Sequence, residues 1–160
     1  SITMEGLYER LVVPIAGTAA DDPVLSIVQH LVPAKGSILT LLYVVAVAQS
    51  MPLDAELPDD IARGEAALRQ AEATARRLLG GNRAQIHTEL LQARSVGAAI
   101  VDEAIERSAD AILMTSSIRR KHGRPTIGDT VNYVLLNAPC EVITVRVAPT
   151  DLGQLETSWR

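Results

Sequence analysis

Apolar residues along the chain fall into five short runs, with stretches of helical spacing between them. Arg10 to Ile15 is brief and continuously apolar, as in a strand buried on both faces. Ala16 to Asp22 is a turn; Asp21 or Asp22 can cap the helix that follows, with Pro23 in its first turn. Val24, Ile27, Val28 and Leu31 then recur at helical spacing, and Pro33 to Gly36 ends that helix. Ser37 to Val47 is the strongest strand, its unbroken hydrophobicity marking a central parallel position. A connection containing Pro52 and Pro58 leads to a long helix that starts at Asp59 or Asp60 and runs to about Leu79. Its apolar stripe is Ile61, Leu68, Ala71, Ala75 and Leu78. Gly80-Gly81-Asn82 is a helix stop.

The second half repeats the pattern. Ala84 to Gln92 alternates, with Ile86, Thr88 and Leu90 on one side and His87 and Glu89 on the other, which predicts an edge strand. Ser95 can cap a helix from Val96 to Arg107 that buries Val96, Ile100, Val101 and Ala104. Ala111 to Met114 is a fourth strand, Thr115 to Pro125 a polar loop, Thr126 to Asn137 a helix and Glu141 to Val147 a fifth strand. Strict alternation of strand and helix predicts one α/β domain: an open five-stranded parallel sheet with right-handed crossovers and helices on both faces. Residues 9–148 form that domain, residues 1–8 an N-terminal segment or linker, and residues 149–160 a polar C-terminal tail.

Composition agrees. Hydrophobic residues make up 48% of the 160-residue chain but aromatic residues only 2%, so the core is built from Leu, Val, Ile and Ala. The net charge of −4 argues against nucleic acid as a partner. Locally the sign reverses: Arg119, Arg120, Lys121 and Arg124 crowd one loop. A lone cysteine, Cys140, excludes an internal disulfide framework; the strand-start position reads as a small buried residue. The most apolar run, Ile38 to Ala48, is too short for a bilayer, and a cytoplasmic location is expected, on its own or at the membrane face of a larger transporter. No nucleophile–base pair, paired carboxylates or metal-ligand spacing is evident, so neither an enzyme nor a metal site is expected.

Ligands of open α/β sheets bind outside the carboxyl ends of the strands, ahead of a helix N-terminus. That places the Thr115–Pro125 loop at the ligand edge. Its cations offer an anion site for a nucleotide, a cyclic dinucleotide or lipid headgroups, or else a solvated surface. Thr115, Ser116 and Ser117 offer hydroxyls to a ligand or to the loop backbone. Asp129 reads as a first-turn acid favouring the helix dipole. The fifth strand would lie at a sheet edge, with Val142, Ile143, Val145 and Val147 available for pairing with a second copy.

Three junctions carry a resemblance. Val12-Val13-Pro14 ends the first strand, Ala109-Asp110 leads into Ala111 to Met114, and Asn137-Ala138-Pro139-Cys140-Glu141-Val142 opens the fifth strand. In this order and spacing the chain resembles the universal stress protein family from Tyr8 to Val147. The resemblance implies an adenine nucleotide alpha hydrolase-like fold with sheet order 3-2-1-4-5, a two-fold homodimer through the last strand, and a nucleotide site. Its candidate residues are Pro14, Ala16, Val44, Thr115, Ser116, Arg119, Arg120, Gly128, Asp129 and Thr130. ATP-binding members of the family carry G-x2-G-x9-G-[ST] after the fourth strand. Here the corresponding residues are Thr115, Ile118, Gly128 and Asp129, and Ala16 stands where an acidic residue usually follows V-P. The motif is therefore degenerate: ATP, AMP or a cyclic dinucleotide are the candidate ligands, and the family's usual ATP contacts are largely missing. Met51-Pro52-Leu53-Asp54-Ala55-Glu56-Leu57-Pro58 resembles the connection in domains appended to amino-acid permeases. The expected function is a non-enzymatic regulatory domain of an amino-acid transporter, the alternative a free-standing cytosolic stress protein that binds ATP or another adenine nucleotide.

Overall fold

The computed structural model describes residues 8–33, 35–80 and 83–147. The N-terminal segment before Tyr8, the tail from Ala148, and parts of the stops at Pro33–Gly36 and Gly80–Asn82 lie outside the described residues. The elements are β1 (Arg10–Pro14), α1 (Asp21–Leu31), β2 (Ser37–Ala46), α2 (Pro58–Leu79), β3 (Ala84–Ala93) and α3 (Val96–Glu106). They continue with β4 (Ala111–Ser116), β5 (Arg119–Lys121), β6 (Arg124–Thr126), α4 (Asp129–Asn137) and β7 (Glu141–Arg146).

The main sheet is five-stranded and wholly parallel, in the order β3-β2-β1-β4-β7, as the sequence predicts with β7 as its fifth strand. Every residue of β4 is buried, and so are Leu11 to Ala16. Two cores flank the sheet. Leu11, Val13, Leu39, Leu41 and Leu113 pack beneath α1 and α2, while Val12, Leu42, Ile112 and Met114 pack beneath α3 and α4. The alternation follows from the strand period of two, which sends neighbouring side chains to opposite faces.

Three expectations need correction. Neither Asp21 nor Asp22 caps α1: its N-cap is Ala20, with no side-chain cap bond, and Asp21 lies in the first turn and accepts from the backbone before the helix. The last helix begins at Asp129, not Thr126. The segment before it is not an irregular loop: β4 runs on to Ser116, and β5 and β6 form an antiparallel hairpin. The alternating strand lies at the β3 edge as expected, and Ser95 caps α3 by accepting from Ala98 N at 3.2 Å.

Polar side chains fasten the joints. Asp110 accepts from the backbone N–H groups of Glu9 and Arg10 at 3.0 and 2.8 Å, so the Ala-Asp step ahead of β4 pins the start of β1. Arg83 donates to the carbonyls of Gln29, Val32 and Pro33 and satisfies the end of α1. Ser37 Oγ in turn donates to the Arg83 carbonyl at 3.1 Å.

Arg107, at the end of α3, bridges Glu103 (2.7 Å) on its own helix and Glu89 (2.6 Å) on β3. Glu103 is only 4% exposed. Burial, and then its hydrogen bond to Glu89, raise the Glu103 carboxyl. The hydrogen bond from Glu103, aided by Arg107, lowers that of Glu89. Replacing Arg107 by Met strands the buried Glu103 and should cost about 2–3 kcal/mol, below the usual range for a fully buried pair because Arg107 is itself partly exposed. Adding Glu103→Gln should recover part of the loss. Urea unfolding of the single and double variants measures both; additive losses would show that Glu103 and Arg107 are not coupled.

Candidate functional site

The carboxyl ends of β1 and β4 meet at the point where the strand order reverses, which is where open α/β sheets leave a crevice. On the β1 side, Pro14 and Ala16 are buried and Val44 of β2 is half-buried. The turn after β1 is closed by its own carboxylate: Asp21 accepts from the N–H groups of Ala16 at 2.8 Å and Gly17 at 2.9 Å. Those donors converge on one anion, and the chain supplies it from the first turn of α1. The acid is displaced along the sequence from the position after V-P, where Ala16 stands, and it holds the backbone of the turn.

On the β4 side, Thr115 and Ser116 are 2% and 3% exposed, and Thr130 is 2% exposed in α4. They lie within packed elements, and neither Thr115 nor Thr130 is without a partner. Ser116 accepts from Val147 N at 3.2 Å through its carbonyl, which extends the β4–β7 pairing. Gly128 precedes α4 with φ at +92°, a conformation other residues adopt only under strain, and a Cβ there would meet nothing within 4 Å. The constraint on Gly128 is therefore conformational, not spatial.

Between these points stands the hairpin. Arg119, Arg120 and Lys121 face Thr126, Pro125 and Arg124, and His122 and Gly123 form the turn with φ of 54° and 76°. Positive φ at both central residues is the type I′ geometry that suits a two-residue hairpin. Arg120 Nη1 donates to the Gly123 carbonyl at 3.2 Å and braces the turn. Arg120, Lys121, His122 and Arg124 are all exposed. Lys121 lies 3.6 Å from the Asp129 carboxylate across an exposed gap, a pairing of little energetic weight. The structure thus brings Lys121 to Asp129 at the start of α4, turns Arg120 to the hairpin's own Gly123, and buries Thr115, Ser116 and Thr130 in β4 and α4. Charge composition alone hid the hairpin. The signal for it was Lys121-His122-Gly123-Arg124, a two-residue X-Gly turn, with histidine among the residues that tolerate positive φ.

Other candidates resolve simply. Burial pushes the Cys140 thiol up, which does not favour a thiolate nucleophile. No group of three or more His, Cys, Asp or Glu is placed to hold a metal among the described residues. No helix among them is long and apolar enough to cross a membrane.

These features define an open α/β domain with its ligand edge at the β1/β4 reversal. The chain belongs to the universal stress protein family, whose model matches residues 7–146. A universal stress protein from Archaeoglobus fulgidus superposes with a TM-score of 0.65 at 22% identity, over 89% of this chain and 98% of that one. Universal stress protein UspA from Lactobacillus plantarum gives 0.57 at 24% identity, over 89% and 100%. A family protein from Arabidopsis thaliana with AMP bound gives 0.55 at 14% identity, over 91% and 95%. At such identities the likeness establishes the fold. No curated protein matches the chain.

Asp21 makes the β1 turn pH-sensitive. Burial raises its carboxyl above the ordinary 3.8, outweighing the lowering effect of the Ala16, Gly17 and Thr18 N–H groups. A carboxyl raised on folding contributes stability that is fully present below its unfolded pKa and is lost as pH rises through the folded one. The stability of the native chain minus that of Asp21→Asn should therefore shrink from pH 3.5 to 7 in urea titrations. A difference that widens with pH would show that the turn's hydrogen bonds outweigh desolvation.

Proposed function

We propose that the chain is a non-enzymatic regulatory domain that binds the phosphate of an adenine nucleotide through its cationic hairpin rather than through a glycine-rich loop. The observation that carries this is the β5–β6 hairpin itself, which leads directly into Gly128 and the N-terminus of α4, holds Arg120, Lys121 and Arg124 exposed, and brings Lys121 to 3.6 Å from Asp129. In the family motif, glycines let backbone N–H groups approach phosphate oxygens. With Thr115 and Ile118 in their places, side-chain guanidinium groups supply the donors, and they match phosphate geometry well. The AMP bound by the Arabidopsis relative supports this ligand class. Asp129 disfavours a triphosphate packed against the helix start, so a monophosphate is preferred over ATP. A cyclic dinucleotide, with its two separated phosphates, is the second ligand to try.

The same reading makes the domain part of a larger assembly. β7 has no neighbour on its outer side among the described residues, and Leu135 and Leu136 of α4, which precedes it, are exposed, Leu136 to 83%. Half-buried Val142, Ile143, Val145 and Val147 complete an edge fit for two-fold pairing with a second copy. The Met51–Pro58 connection is anchored, since Gln92 Nε2 donates to the carbonyls of Leu53 and Ala55 at 3.0 Å. Arg94 also donates to the Ala48 carbonyl at 2.8 Å. It exposes Met51 and Leu53 as an apolar contact suited to the cytoplasmic face of an amino-acid transporter. The reading frame upstream of Ser1 decides this last point: membrane-spanning helices there support it, and a start codon at Met4 favours a free-standing cytosolic protein.

Calorimetric titration with AMP, ATP and a cyclic dinucleotide tests the site. Replacing Arg120 and Arg124 by Ala should weaken AMP about tenfold, roughly 1.4 kcal/mol, and Gly128→Ala should weaken it by straining the α4 start. Unchanged affinity in both variants would reduce the hairpin to a solvated surface. Light scattering tests the edge: Val145→Lys with Leu136→Glu should convert dimers to monomers, and a monomeric native chain would refute the pairing.

A further inference from the structure

A cavity lies on the α1/α2 side of the sheet. It opens between α1 and α2, has a volume of about 490 Å3, and is lined by the Gly17–Asp22 turn, Tyr43 and one face of α2. Tyr43 packs with the α1/α2 core, whereas Ala16 and Val44 pack with the α3/α4 core, so this space is separate from the nucleotide site. Its size falls within the range of small-molecule sites, roughly 300–1,000 Å3.

Its walls divide by chemistry. Leu25, Ala67 and Ala71 give an apolar lining, and the small alanines leave the space open. Tyr43 forms a fixed wall: a Cβ on Gly64 would sit 2.7 Å from the Tyr43 ring, so only glycine lets α2 lie this close. The rim carries Asp21, Asp22 and Arg63. Arg63 is already paired with Asp60 on its own helix. Asp21 and Asp22 have no cationic partner among the described residues. Asp21 is held in place by the backbone N–H groups of Ala16 and Gly17, with that of Thr18 close by, and its two oxygens retain acceptor capacity beyond these three. An anion entering here would meet two carboxylates and a guanidinium that is already engaged. A cation would meet two acceptors, an aromatic ring and an apolar wall, with the rim guanidinium of Arg63 turned to Asp60.

We propose that the α1/α2 cavity binds a small organic cation, an ammonium or guanidinium group on a short aliphatic body. The charged group sits between Asp21, Asp22 and the Tyr43 ring, and the body lies along Leu25, Ala67 and Ala71. The site is independent of the hairpin, and the two respond to opposite charges.

Agmatine is a suitable probe, since it carries both cationic groups on a four-carbon stem. Titrated into the full chain and followed by amide NMR, it should shift Asp22, Tyr43 and Ala67 saturably. Asp22→Asn, at an exposed position, should weaken it about fivefold. Ala67→Leu, which fills the space, should abolish it. The Arg120→Ala, Arg124→Ala variant should bind as the native chain does, so loss of nucleotide binding and loss of this site are separable. Glutarate, of like length and opposite charge, should not bind. Absence of saturation with agmatine, undiminished binding by Asp22→Asn, or glutarate shifting the same residues would each overturn the proposal. The Asp22→Asn result decides the matter alone should Ala67→Leu not fold.

Discussion

The structure depends on the parallel pairing of β1 and β4 with both faces covered. Their contact region, Leu11–Ala111 and Val12–Ile112, is short, and the residues around it are almost wholly excluded from solvent. So short a pairing is held from its ends. Asp110 fixes the lower end by capping Glu9 and Arg10, and Asp21 fixes the upper end by closing the turn after β1. With the strand interiors filled by aliphatic side chains, no functional group can project from them. Chemistry is confined to what the strands carry at their carboxyl ends, which explains why one hairpin and one turn hold most of the candidate residues.

The sequence made the fold legible because buried parallel strands and amphipathic helices each leave a strong pattern. Ser37 to Val47 and the stripe through Leu68, Ala71 and Ala75 are examples, and both lie where the pattern put them. The Asp110 pin was visible only as a resemblance; its physical reason is a long-range capping bond that no local pattern encodes. The β5–β6 hairpin escaped because three residues per strand are too few for alternation, and cations masked the His122-Gly123 turn. The overestimate of α4 has the same origin, since Thr126 belongs to that hairpin. The α1/α2 cavity could not be read at all. Its walls come from the β1–α1 turn, Tyr43 and α2, and the approach of α2 to Tyr43 at Gly64 is a tertiary contact that no local pattern records.

On the proposed reading, a cationic hairpin in place of a glycine loop would change the physics of recognition. Backbone N–H groups in a loop are fixed dipoles, short in range and largely indifferent to salt. Exposed arginines act over about one Debye length, some 8 Å at physiological ionic strength, and weaken as salt rises. A site of this kind favours charge over shape, and the Asp129 carboxylate at the α4 start adds a limit on how deep an anion can sit. The candidate residues therefore suit reversible sensing of a phosphate better than tight burial of a nucleotide.

The two faces of the sheet then differ in sign as well as in composition. The hairpin ahead of α4 presents cations, while the rim of the α1/α2 cavity presents two carboxylates with no cationic partner among the described residues, although the chain as a whole carries only −4. The Gly17–Asp22 turn connects them, because Ala16 packs towards one core and the Asp21 carboxylate that holds its N–H lines the cavity on the other. A ligand that draws the Asp21 carboxylate towards itself must lengthen its bond to Ala16, at the strand end nearest the reversal point. Coupling between the faces, if a ligand at one alters affinity at the other, has a single short route through that turn, and by linkage it must be reciprocal.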